Sequence, residues 1–371
     1  MGLINQKNRR FHVNNPITRP KFANSINLKG ESIIIMVSEI TIDDLLLINL
    51  PIIDVRSPGE FEHGHIPGAI SIPLFTNEER AHVGTVYKQN SKEAAVALGY
   101  KYVNPKLESY ISESKKVAPS GKVIVHCWRG GMRSESFAEH LSDNGFQHVH
   151  RLVGGYKAYR NYILTSFEHP FCLKVLGGYT GSGKTHILHE MQNIGIQVID
   201  LEGLAHHKGS AFGGIGQGQQ PTVEQFENIL YHELEKLDKT KPIWIEDESI
   251  TIGAVKIPKP FFDQMREAKL FFIDIPAKER VKLLVDEYAS CDCEQLSASI
   301  HRIAKRLGGL NEKRAIESLE GKRFDEVASI ALDYYDKSYL KGMSGRLPER
   351  VVRIEIPTIN HIENAKTVAK L

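Results

Sequence analysis

Two short stretches of this 371-residue chain hold side chains that do chemistry. The first, His126-Cys127-Trp128-Arg129-Gly130-Gly131-Met132-Arg133-Ser134, follows an apolar run and precedes a helical pattern. A loop turning from a strand into a helix N-terminus aims successive backbone N–H groups at one point, which binds an oxyanion and favours a thiolate at its mouth. Cys127 is therefore the candidate nucleophile. Arg129, Gly130, Gly131 and Arg133 form its candidate anion cradle, with Arg133 as a forked, permanent cation. The second stretch is Gly178-Tyr179-Thr180-Gly181-Ser182-Gly183-Lys184-Thr185. Its glycines let the backbone wrap a phosphate, Lys184 reaches the terminal phosphate, and Thr185 suits Mg2+. Gly178, Gly181, Ser182, Gly183, Lys184 and Thr185 are the candidate diphosphate site.

Downstream, Ile243-Trp244-Ile245-Glu246-Asp247-Glu248 reads as an apolar strand ending in acids, where Asp247 and Glu248 are candidate Mg2+ or substrate contacts. Phe271 to Ile275, followed by Arg280, reads as a later strand of the same sheet. Between them the polar segment Glu202 to Gly213 is too glycine-rich for a core element and reads as a substrate-contacting loop. Its adjacent His206 and His207 point apart in extended chain and have no cysteine or carboxylate at zinc spacing, so no metal site is expected. Cys291 and Cys293 lack a second pair and read as incidental.

These loops need strands before them and helices after them, and the chain supplies both. Apolar runs at Ile52 to Val55, Val123 to His126 and Val149 to Val153 alternate with helical patterns such as Ser134 to Asn144. A second cycle starts at Cys172 to Leu176 and continues through strands at Gln197 to Leu201, Ile243 to Ile245 and Leu270 to Ile275. Residues 277–341 read as mostly helix, and Arg350 to Ile356 as a last strand. The expected architecture is α/β: an extension without regular structure over 1–35, a first domain over 36–165 and a second over 170–360 with a helical C-terminal part.

Composition agrees with a globular chain of more than one domain, at 41% hydrophobic and 25% charged residues. No apolar run approaches the roughly 20 residues of a membrane span. The four cysteines are too few and too irregular for a disulfide framework, so a reducing cytoplasm is expected. Residues 1–35 hold six basic side chains against one acid, a net +5 that leaves the rest of the chain at −3. That basic stretch leaves an organelle transit peptide open, and Met36 is an alternative start. A nucleic-acid site must then be a local basic patch. The densest one past the N-terminus lies between Arg302 and Arg323, with seven basic residues against three acids. Arg302, Lys305 and Arg306 share one helical face there and are candidate nucleic-acid contacts, with Gly308-Gly309 ending the helix.

The cysteine loop alone leaves two chemistries open, because the five residues between Cys127 and Arg133 match cysteine phosphatases as well as sulfur transferases. Upstream, Asp54-Val55-Arg56-Ser57-Pro58-Gly59-Glu60-Phe61 with Gly64-His65-Ile66-Pro67-Gly68-Ala69 resembles the rhodanese signature, and Leu152-Val153-Gly154-Gly155-Tyr156 resembles its closing segment. Ordinary rhodaneses have a loop one residue shorter, so this one suits a phosphate-sized anion. Gly178 to Thr185 matches the Walker A pattern in full. In this order on one chain, with Gly203 to Gly213 and Trp244 to Ser249, these motifs resemble the bacterial tRNA 2-selenouridine synthases over about residues 38–360. That resemblance implies a transferase acting on the wobble uridine of tRNAs for Lys, Glu and Gln. It implies S-geranylation of 2-thiouridine from geranyl diphosphate, then exchange for selenium from selenophosphate, with Cys127 carrying selenium as a selanyl-sulfide. No tightly bound cofactor is implied; Mg2+, a selenophosphate-making partner enzyme and the cytoplasm are, and a membrane is not. The alternative is a P-loop kinase or NTPase fused to a phosphatase-like or sulfur-relay rhodanese domain. A non-catalytic anion-sensing adaptor is a third reading.

Overall fold

The computed structural model describes residues 22–26 and 32–371, with side chains from Val37 onward. The chain divides into two compact units. One runs up to Ser57 and includes Gly68–Gly155; the other comprises Pro58–Pro67 and Tyr156–Leu371.

The first unit is built on β1 (Phe22–Ile26), β2 (Ser32–Ile40), β3 (Ile52–Asp54), β4 (Ile70–Ser71), β5 (Lys122–His126) and β6 (His148–Leu152), in the sheet order β1-β2-β6-β5-β3-β4. β1 runs antiparallel to β2, and the remaining ladders are parallel. β5 is central, so Val123, Ile124 and Val125 are all fully buried, as expected for a strand covered on both faces. The helix Met132–Asp143 turns Phe137, Ala138 and Leu141 onto that core, which fixes the angle at which the loop before it leaves β5. Of residues 1–35, read from sequence as lacking regular structure, 22–26 and 32–35 lie in β1 and β2, while 1–21 and 27–31 lie outside the described residues. The β-branched run Ile33-Ile34-Ile35 favours a strand once a partner is present.

The second unit has β7 (Leu173–Gly178), β8 (Val198–Ile199), β9 (Ile243–Glu246), a small hairpin of β10 (Thr251–Ile252) and β11 (Val255–Lys256), then β12 (Lys269–Asp274) and β13 (Val351–Glu355). The main sheet is parallel in the order β13-β12-β7-β9-β8. The chain leaves β7 toward one side of the sheet and later fills the other. The carboxyl end of β7 is thus the switch point where parallel sheets open a crevice. Between β12 and β13 stand the helices Ala277–Tyr288, Cys293–Leu307, Gly309–Glu320 and Phe324–Met343, the last three packed around Leu296, Ile300, Ile303, Leu319 and Val327.

Three segments near the expected boundaries pack with the second unit. Helix Gly155–Ser166 belongs from Tyr156 onward to the second unit, because the Tyr156 hydroxyl donates to Glu224 Oε1 at 2.8 Å and Arg160 is tied to Glu227 and Asn228. Pro58–Pro67 joins it through His65, whose backbone N–H donates to Gln225 Oε1 at 2.8 Å and whose carbonyl accepts from Asn228. At the other end the unit continues past 360, since helix His361–Val368 buries Ala365 and Val368 against the Ile187, Leu188 and Met191 face of helix Lys184–Asn193.

Candidate active sites

Cys127 stands immediately after β5 and is 3% exposed. Its Sγ lies 3.3 Å from Ser134 Oγ and 3.9 Å from the Gly131 carbonyl, and Ser134 Oγ donates to that carbonyl at 3.0 Å. Ser134 is itself fully buried. A hydroxyl rotor in this position accepts from a thiol and can turn to donate to a thiolate. Gly131 is the helix N-cap and contributes no side-chain cap, and the helix start carries the partial positive charge that favours an anion. Arg129 is exposed and Arg133 half-buried on that turn.

The loop is held tightly. Gly130 has φ +65°, and a Cβ there would come within 2.5 Å of Leu152 O. Gly155 has φ +58°, and its Cβ would overlap the Cys127 carbonyl. Under the loop, Arg56 grips Asp54 with Nε at 3.0 and 2.9 Å from the carboxylate oxygens, and its guanidinium lies 5.9 Å from the Trp128 ring centre. Burial pushes the Asp54 carboxyl up, but His126 and Arg56 outweigh it, so Asp54 is held below its ordinary range. The upstream Asp-Val-Arg motif is therefore a brace for the cysteine loop. Spacing alone assigns Ser134 no role; the geometry places its hydroxyl on Cys127 Sγ.

In the second unit, Gly178 to Thr185 wraps the start of helix Lys184–Asn193. Lys184 Nζ donates to the Gly178 carbonyl at 3.1 Å, Thr185 Oγ1 donates to Glu202 Oε2 at 2.7 Å, and Ser182 Oγ is buried with no partner among the described residues. Gly178, Gly181, Ser182, Gly183, Lys184 and Thr185 all line one cleft of about 910 Å³. Its lining combines the charged Lys184, Glu202 and Glu248 with the apolar and aromatic Phe212, Leu284, Tyr288, Leu296, Phe324, Val327, Ala328, Ala331 and Tyr335.

The structure reassigns Asp247. Its carboxylate accepts from Tyr339 at 2.7 Å and from Arg346 at 2.8 Å, with Arg266 at 3.5 Å. Asp247 lines the cleft as well, but those arginines match its charge and tie it to helix Phe324–Met343 and the turn at Arg346. Glu202, given no such role from sequence, is the carboxylate on Thr185. Glu248 does line the cleft, and a Cβ at Gly209 would lie within 3 Å of both Glu248 and Glu202, so the glycine loop closes directly over the two acids. Thr185 and Glu202 present hard oxygen donors at a phosphate loop, a donor set that fits Mg2+. His206 instead bonds the Gln219 carbonyl, and His207 packs on Gly213. Arg280, read only as following a strand, is buried and holds the Thr180 carbonyl at 3.1 Å while paired to Asp336 at 2.7 Å, which fixes the phosphate loop from behind.

Glu248 is pushed up to about 8, first by burial and then by the charge of Glu202, with Lys184 opposing. Between pH about 4.5 and 8 the folded protein therefore keeps a proton that the unfolded chain has released, so this group's stabilisation is complete below that window and is lost as pH rises through it. Glu248→Gln should melt higher than wild type by a margin that widens from pH 5 to pH 8, reaching at least the ~2–4 °C that about 1 kcal/mol is worth in a unit of this size. A margin constant with pH in thermal melts would contradict this protonation.

On helix Cys293–Leu307, Ile303 and Leu307 are buried and Arg302, Lys305 and Arg306 exposed, and the helix ends at Gly308 with φ +86°. Arg302 donates to Ser299 and Arg306 to Tyr334, and Arg306 also lines the cleft. Arg306 thus leans on a cleft-side neighbour, Arg302 bonds within its own helix, and Lys305 is exposed.

A rhodanese-type cysteine loop on a mostly parallel sheet, followed by a Walker-type phosphate loop on a second parallel sheet, defines a rhodanese-like unit joined to a P-loop unit. Residues 41–162 match the rhodanese-like domain family, and residues 171–364 match the family described as the tRNA 2-selenouridine synthase AAA domain. Proteins named tRNA 2-selenouridine synthase from Bdellovibrio bacteriovorus, Sulfurovum sp. and Hydrogenovibrio crunogenus are 40%, 37% and 36% identical, covering 80% of this chain and 90%, 89% and 90% of theirs. This chain belongs to the tRNA 2-selenouridine synthase family.

Proposed function

We propose that this protein exchanges the 2-thio sulfur of a tRNA wobble uridine for selenium in two stages. The uridine sulfur is first geranylated from geranyl diphosphate in the P-loop cleft, and selenium from selenophosphate then enters at the Cys127 loop. The observation that carries the first stage is the cleft itself, which joins a phosphate loop to an aliphatic and aromatic wall. A prenyl diphosphate satisfies both, whereas a nucleotide would set ribose hydroxyls against apolar side chains. Helix Phe324–Met343 supports the same placement. Its Tyr339 hydroxyl meets the Gly178 amide, and Ala331 and Ala328 follow about 12 and 16 Å back along the axis.

In this reading the thiocarbonyl sulfur attacks C1 of the geranyl chain, the C1–O bond breaks, and the N3 proton is released. Lys184 and the loop amides hold the charge that develops on the departing diphosphate. Mg2+ on Thr185 and Glu202, when bound, supplies further neutralisation of that charge. The tRNA substrates are those for Lys, Glu and Gln, and a selenophosphate-making enzyme is the expected supplier in the cytoplasm.

Nucleoside mass spectrometry after incubation with thiolated tRNA, geranyl diphosphate and selenophosphate tests the reading. It expects geranylated 2-thiouridine and then 2-selenouridine; neither product, with nucleotide turnover in the absence of tRNA, would favour the kinase alternative. For the tRNA surface, changing Arg302, Lys305 and Arg306 together to Ala should lower the slope of log affinity against log salt by about two to three. Unchanged tRNA affinity with weaker geranyl diphosphate binding would place these residues on the cleft instead.

A further inference from the structure

We propose that Cys127 attacks the phosphorus of selenophosphate, forming a cysteinyl phosphate and releasing selenide, with Ser134 assisting its breakdown. This rests on the selenophosphate reading above and replaces the expectation that Cys127 carries selenium.

Three observations lead here. Five residues separate Cys127 from Arg133, a loop one residue longer than in ordinary rhodaneses, and it runs into the N-terminus of helix Met132–Asp143, whose partial positive charge suits phosphoryl oxygens. The Ser134 hydroxyl is fully buried and 3.3 Å from Sγ, on the atom whose charge changes during phosphoryl transfer. The third is electron balance. If Sγ attacked selenium, the Se–P electron pair would leave on phosphorus, giving phosphite and a selenium oxidised to the persulfide level. Two electrons would then be needed to cleave the S–Se bond and leave selenium on C2, and none of the substrates supplies a reductant.

Attack on phosphorus needs none. The Sγ–P bond forms, the Se–P bond breaks, and the pair leaves on selenium as hydrogen selenide. Selenide adds to C2 of the S-geranyl ring, its proton moves to N3, and the C2–S bond breaks to release geranyl thiolate, which takes a proton from solvent. Water then attacks the cysteinyl phosphate, orthophosphate leaves, and the S–P pair returns to Sγ. Ser134, turned from the Gly131 carbonyl, donates to that departing thiolate.

The test is a single turnover of the full-length protein with geranylated tRNA and selenophosphate carrying radiolabelled phosphorus, quenched in denaturant at mildly alkaline pH, where the S–P bond survives, and digested at that pH. Ser134→Ala should hold at least about tenfold more label on the Cys127 peptide than wild type, the worth of one hydrogen bond to a developing charge. Such a gain of signal cannot come from misfolding. Ser134→Thr should restore turnover, Cys127→Ala should carry no label, and phosphorus NMR should find orthophosphate. Phosphite, or selenium on Cys127 without phosphorus, would overturn the inference. So would 2-selenouridine formed while the Ser134→Ala peptide stays unlabelled, and the proposed function would then survive. A wild type that makes no 2-selenouridine at all would remove both.

Discussion

Cys127→Ala should stop selenium incorporation, by at least about a thousandfold, the order of loss when a covalent nucleophile is deleted. Geranylation should continue, because the thiol belongs to the first unit and the phosphate loop to the second. Geranylated 2-thiouridine should therefore accumulate in nucleoside digests, and its build-up without selenouridine is the signature to seek. Removing one small buried side chain beside Ser134 costs little packing, so a melting curve near that of wild type is expected alongside. Selenation persisting near the wild-type rate would show that the loop only binds the anion.

The second large effect is expected from Lys184→Ala. Lys184 reaches back to the Gly178 carbonyl, a contact of 3.1 Å that a phosphate oxygen can replace. Its deletion takes a mobile cation from the leaving group and should slow geranylation by about 10²- to 10³-fold, comparable to losing one donor at a developing oxyanion. It also leaves Glu202 and Glu248 without the cation that opposes their upward shift, so both acids should hold their protons to still higher pH. Supplying tRNA that is already geranylated should bypass the defect, and selenation measured that way should remain near wild type. Equal loss in both stages with an unchanged melting temperature would mean that the P-loop unit positions tRNA for all of the chemistry.

Sequence spacing revealed both reactive loops because each is written in contiguous residues whose geometry is local: a strand, a turn and a helix start. What it concealed was long-range. Asp247 stands where a cation contact belongs, but its hydrogen-bond partners Tyr339 and Arg346 lie 92 and 99 residues away, beyond any pattern a strand end can show. Glu202, 17 residues after Thr185, sits in a polar segment whose acids look interchangeable until Thr185 selects one. The last helix was missed because its eight residues bury Asn364, Ala365 and Val368, too small a stripe to stand out after Pro357. Strand β1 lacks a local signal of its own and is defined by its pairing with β2.

The interlocked glycines of the first unit make two distant motifs one heritable object. At Gly155 any side chain overlaps the Cys127 carbonyl, and at Gly130 any side chain strikes Leu152 and the turn that follows it. A side chain at Gly130 or at Gly155 is therefore admissible only where the facing segment moves with it. For protein engineers the same geometry defines the smallest exchangeable cassette. A cysteine loop from another rhodanese, shorter by one residue, should be accepted only if its own closing turn is transplanted with it.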